Sequence, residues 1–196
     1  MKSTNAVLIE DLIQRTKQVL NDTMPLLALE ESVLNQKVDA TAWSVLECIA
    51  HLNYYGDFYL PEIKQRIQNA PVHVEEQVFK SGWLGNYFSN SMLPKAKLNK
   101  MKTFASMNPV GSKLDKSILS KFVEQQKEML DLLHSARRIS LTKTKTAISL
   151  TKWIQLRLGD TFRVVIYHNQ RHLVQAQKAL QHAQSNLAQQ EKVKTS

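Results

Sequence analysis

The chain has 196 residues, a formal net charge of +9, 43% hydrophobic residues and only five Gly and five Pro. That length suits one domain, residues 1–196, and the scarcity of turn residues favours long helices over a β fold. The single Cys48 excludes an intrachain disulfide and a cysteine-rich metal site, and no apolar run reaches the roughly 18 residues that cross a bilayer.

The opening Met1-Lys2-Ser3-Thr4-Asn5 has no secretory pattern, so the expectation is a cytoplasmic protein with no membrane partner. The first helix is expected from Asn5, as N-cap, to Gln36, through Leu8, Leu12, Val19, Leu26, Leu27 and Leu34. Pro25 predicts a kink near Asn21–Met24. In the second helix Ser44 and Glu47 form a capping box, and Trp43 is placed to staple onto Cys48. It continues to about Asn69, with Pro61 predicting a kink or break beyond the His51 turn. Cys48 lies on its core side and reads as a packed thiol.

Residues 70–112 are the least periodic part, with a local apolar cluster of Trp83, Leu84, Tyr87 and Phe88 followed by Lys95, Lys97, Lys100 and Lys102. This long connection reads as a crossover covering one side of a cleft, or as a solvated connector with Trp83 on the bundle surface. A third helix is expected over Lys113–Arg138, with Asp115 in its first turn and Leu114, Ile118, Phe122, Met129, Leu132 and Leu133 facing in. A polar turn over Ser140–Thr146 and a short helix around Ser149–Leu158, stopped by Gly159, should follow. Asp160 then caps a last helix whose polar tail frays from Gln189.

His168 and His172 stand four apart in that helix, so one face presents two imidazoles, the usual way for a helix to give two ligands to one ion. The core stripe runs through Phe162, Val165, Ile166, Leu173, Ala176, Leu180 and Ala183, and both histidines lie on its flank. His51 lies on the matching flank of the second helix, beside Tyr55 and Phe58. Together they supply three neutral nitrogen donors and leave a position open, the pattern of catalytic rather than structural sites. The competing reading makes each a core-edge histidine hydrogen-bonded to a neighbour. His73, His134 and His182 lack partners at ligand spacing.

The Trp43-Ser44 helix opening with His51 seven residues after the serine resembles the DinB/YfiT-like superfamily. So does Gly159-Asp160-Thr161 followed by His168-Asn169-Gln170-Arg171-His172-Leu173-Val174-Gln175. The resemblance implies an all-α four-helix bundle in up-down-down-up order, with the long crossover between helices 2 and 3. It also implies a divalent metal held by His51, His168 and His172. Zinc or nickel suits three imidazoles without thiolate or carboxylate.

Such an ion keeps its full charge and can activate a water, for hydrolysis, or a low-molecular-weight thiol that attacks an electrophilic small molecule. The resemblance favours thiol-dependent S-transfer, with a metal-dependent hydrolase as the alternative and a non-catalytic helical-bundle binding protein as the third reading. Glu47 and Tyr55 are the candidate catalytic residues, Glu47 also being the capping-box glutamate. Gln175 and Arg171 are candidates to support the ligands.

Charge is uneven: residues 1–93 carry seven Lys and Arg against eleven Asp and Glu, and residues 94–196 carry nineteen against six. With no nucleic-acid motif and no aromatic interleaving, the basic half reads mainly as solvated surface and next as a contact for an anionic small molecule, a nucleic-acid partner being the least expected of the three. Apolar residues beyond one stripe, such as Val33, Leu60 and Val174, and the family habit give the expectation of a homodimer.

Overall fold

The computed structural model describes residues 1–73, 75, 77–94, 103–112, 114–149 and 151–194, with only the backbone at 152 and 190–194. Lys95, Lys97, Lys100, Lys102 and Lys113 therefore fall outside the described residues. The chain is mostly helical, with two small sheets that the all-α expectation did not contain.

The first helical stretch is shorter and more broken than expected. α1 spans Asn5–Thr23, a 3-10 turn follows at Met24–Ala28, and α2 is the single turn Glu31–Leu34. Pro25 has no N–H to continue the ladder, so the chain tightens into 3-10 geometry there instead of merely kinking. Thr4, not Asn5, caps α1: its hydroxyl accepts from Val7 N, while the Asn5 amide donates to Ile139 O at 2.9 Å. Buried Thr16 and Thr23 satisfy their hydroxyls on Leu12 O and Val19 O.

α3 spans Val45–Gln68 behind the expected Ser44–Glu47 capping box. Pro61 lies inside it without ending it. α4 covers Trp83–Met92 and α5 Ser117–Ser135, with a 3-10 turn at Ala105–Met107 between them and another at Ala136–Arg138. Asp115 precedes α5 and accepts from Ser117 N at 2.8 Å. α6 runs from Leu158 to Lys194, so the tail expected to fray is helical.

β1 (Lys2–Thr4) pairs antiparallel with β2 (Val78–Lys80), and β3 (Lys145–Ile148) with β4 (Thr151–Arg157). The β3–β4 hairpin replaces the short helix expected around Ser149–Leu158. Thr151, Trp153 and Ile154 are β-branched or aromatic, and alternate residues Thr146 and Ile148 of β3 and Leu156 of β4 are buried. Gly159 does not stop a helix but begins one. Phe79 packs onto its Cα so closely that a Cβ there would lie 2.5 Å from the ring.

α3 packs on both α5 and α6, and so does α1. α1 and α3, separated by residues 24–44, share no comparable interface. The core falls into two clusters, one around Ile9, Ile63, Leu133 and Phe162 and one around Leu46, Ile49, Phe122 and Leu173. Leu60 is buried in the first, and Val33 and Val174 are half-buried. No described helix is long and apolar enough to cross a membrane.

Candidate metal centre

α3 and α6 face each other through residues that the two helices bring from opposite ends. Trp43, just before α3, stacks on His172 with centroids 5.6 Å apart, while Tyr55 lies edge-on to His168 at 4.7 Å. His51 sits between them, with centroids 5.0 Å from His168 and 4.6 Å from His172. The ligand atoms of His51, His168 and His172 all lie within 4.8 Å of one another. These three, two of them buried and His172 half-buried, are the histidines expected on the helix flanks. Among the described residues, His134 is exposed in the last turn of α5, and His182 bonds Asn186 away from the group.

Hydrogen bonds fix which ring nitrogens face inward. His51 Nδ1 lies 2.6 Å from Met107 O, and a carbonyl can only accept, so Nδ1 carries the proton and Nε2 a lone pair. His172 Nδ1 lies 3.0 Å from Gln175 Oε1, another pure acceptor, with the same result. His51 Nε2 and His168 Nε2 are 3.2 Å apart. Two nitrogens bound at about 2.05 Å to one tetrahedral ion would stand about 3.3 Å apart. One proton on His168 could bridge that pair. The lone pair of His172 would still point into the same space, and a cation satisfies all three. The donor set therefore fits a divalent metal ion.

Electrostatics agree with the neutral state that ligation requires. Burial pushes His168 well below the usual imidazole range, helped by His172, His51 and the Arg171 charge. His172 is lowered to about 3, first by burial and then by His51, with the Gln175 bond opposing. His51 is lowered by burial against the opposing pull of the Met107 carbonyl. The Tyr55 phenol is raised by burial and by Tyr59, so it stays protonated.

Glu47 is occupied elsewhere. Its Oε2 accepts from Ser44 N at 2.9 Å and its Oε1 pairs with Lys37 Nζ at 2.7 Å, so the capping box and a salt bridge account for the two oxygens. Cys48 is buried and its thiol pushed far up, as a packed side chain. The crossover does reach the site, through the 3-10 turn that carries Met107. Sequence reasoning missed that carbonyl, since a backbone acceptor leaves no residue-type signal. It gave Trp43 only a stapling role, although the ring also walls the cluster.

At the start of α6 lies a second buried polar group. Asp160 was expected to cap α6 but serves α4 instead. It accepts from Gly82 N at 2.8 Å and from the Ser81 hydroxyl, and pairs with Arg163 at 3.1 Å. Gly85 leaves room for this carboxylate against α4, where any Cβ would collide with it. Arg163 also reaches Asn86 and Asn90 of α4.

Comparison with known proteins gives one family and no individual relative: no curated protein and no solved structure matches the chain. The family model for the DinB superfamily matches residues 14–176, a span that takes in α3, the crossover, α5 and the ligand-bearing half of α6. With that match over most of its length, the chain belongs to the DinB superfamily.

Proposed function

We propose that this protein is a metal-dependent enzyme in which His51, His168 and His172 hold one divalent ion, zinc or nickel, for thiol-dependent S-transfer to an electrophilic small molecule. The observation that carries the reading is the inward convergence of three neutral imidazoles with no carboxylate among them. We infer with it a four-helix bundle of α1, α3, α5 and α6 in up-down-down-up order. Its support is pairwise. Trp43 and Tyr55 meet His172 and His168 in reverse order, whereas Asn53 and Asp57 meet α5 at Ile118, Lys121 and Gln125 in the same direction. Glu10 meets Arg137, near the end of α5, from the start of α1.

When bound, an ion with three neutral ligands keeps its positive charge and favours the thiolate form of a thiol beside it. The chain's own residues would hold and orient. Met107 O and Gln175 keep the Nε2 lone pairs of His51 and His172 turned inward. Trp43 and Tyr55 give the mouth apolar walls, and the protonated Tyr55 phenol is a hydrogen-bond donor for a substrate atom.

Metal analysis of the wild type and of His168→Ala, both expressed with zinc and nickel supplied, tests the site. Near-stoichiometric metal in the wild type and its loss from the variant is the expected result. Equal metal in both would remove His168. Turnover of an electrophile that needs added thiol supports S-transfer, whereas thiol-independent ester or amide cleavage would replace it with hydrolysis.

A further inference from the structure

Folding assembles a surface whose parts the sequence keeps far apart. Residues 78–93 and 141–159, which supply β2, α4 and the β3–β4 hairpin, contain no Asp or Glu. The carboxylates bonded to these segments are already paired: Asp160 with Arg163, and Glu62 with Arg66 while it accepts from Ala147 N. Large aromatic rings stand in solvent on the same elements. Trp153 is 95% exposed, Trp83 77% and Tyr87 67%.

Trp153 and Arg157 lie on the same strand, at most roughly 13 Å apart along it, with exposed Ile154 and Gln155 between them and a register shift of the hairpin over residues 152–154. Lys145 stands directly opposite Arg157 in the hairpin register and is exposed. The Arg157 side chain runs to the start of α4, where a Cβ on Gly82 would lie 3.6 Å from its Nε, and its guanidinium donates to Lys80 O. Trp83 is the next residue, and Tyr87 follows one turn on along the same side of α4.

We propose that this face binds single-stranded nucleic acid, the bases stacking on Trp153, Trp83 and Tyr87 and the phosphates meeting the cations between them. Exposed π faces beside positive charges are what stacking on a flexible polyanion uses. A second copy docking symmetrically would set cation against cation. An anionic bilayer rewards contiguous apolar area, whereas here the Arg157 side chain stands between Trp153 and the Trp83–Tyr87 side of α4.

The test is fluorescence anisotropy of a labelled oligodeoxythymidine of about 20 nucleotides with the full chain, from about 50 to about 200 mM salt. Wild type should bind, and Trp153→Ala should weaken binding about tenfold. The exposed-surface variant Lys145→Glu should lower the salt slope. Both should keep the wild-type circular dichroism and zinc content, which separates this face from the metal centre. Three results would overturn it. They are no binding at low salt, binding that neither variant changes, and Trp153-dependent association with phosphatidylserine vesicles in place of the oligonucleotide.

Discussion

α6 carries two buried polar groups about two turns apart, and they differ in how they are satisfied. At its start, Asp160 and Arg163 form a closed set, each neutralised by the other, with α4 supplying amide and side-chain partners. Further along, His168 and His172 form an open set with His51, the protons of His51 and His172 turned outward on Nδ1 and their Nε2 lone pairs turned inward beside His168 Nε2. Asp160, Arg163 and His168 are buried, and His172 is half-buried. What separates a structural cluster from a ligand site is therefore the sign of what remains: the first leaves no net charge, while the second leaves electron density that only a cation or proton can answer.

The largest expected effect breaks the closed set. Asp160→Ala strands Arg163 without its counter-charge and removes the acceptor for Gly82 N, so it should cost about 3–5 kcal/mol in urea denaturation. His168→Asn should behave in the opposite way, with zinc binding lost and the stability of the metal-free protein changed by much less. A metal-free His168→Asn protein as unstable as Asp160→Ala would erase the distinction.

Acid should separate the sets next. His172 is held at about 3 and His168 well below its ordinary range, against about 6.5 in the unfolded chain. Between those values the unfolded chain binds protons that the native cluster refuses. The stability of chelator-treated protein should thus be full above pH 6.5 and fall as the pH drops towards 3. Urea midpoints that stay flat from pH 8 to pH 4 would contradict the lowered imidazoles. Saturating zinc should raise the midpoint at pH 7 in the wild type but not in His168→Asn.

Two smaller effects sharpen the picture. Gln175→Leu removes the acceptor on His172 Nδ1 and should weaken zinc binding about 10–100-fold, measured by competition with a chromophoric chelator. Ser44→Ala removes one half of the capping box and should cost about 1 kcal/mol, with zinc affinity little changed. A large loss of zinc in Ser44→Ala would mean that the first turn of α3 sets the height of His51.

The open set was legible in the sequence because its geometry is local. Four-residue spacing fixes His168 and His172 on one face, and Ser44 with Glu47 fixes the start of α3 seven residues before His51. The closed set was misread because Asp160 has the residue type of a cap, and the amide it serves, Gly82 N just before α4, is 78 residues away. The hairpin was misread for a related reason. Leu156 and Leu158 with Ile154 satisfy helical and strand periods alike over so short a run, and the pairing of Lys145 with Arg157 decides between them. Gly159 suited a helix stop in sequence, but its lack of a side chain answers the Phe79 ring of β2. Long-range contacts chose the meaning of residues whose types were correctly noticed.

The bond from His51 to the crossover is made by a peptide carbonyl, and that alters how the site can be damaged or redesigned. The Met107 side chain could be exchanged for many others without touching the acceptor, so a substitution scan would pass over position 107 as neutral. Deleting one residue between Phe104 and Asn108 would shift the carbonyl and leave the His51 ring free to turn. The orientation of a ligand is written here in loop length, and an engineer looking for its control should vary the number of residues rather than their kind.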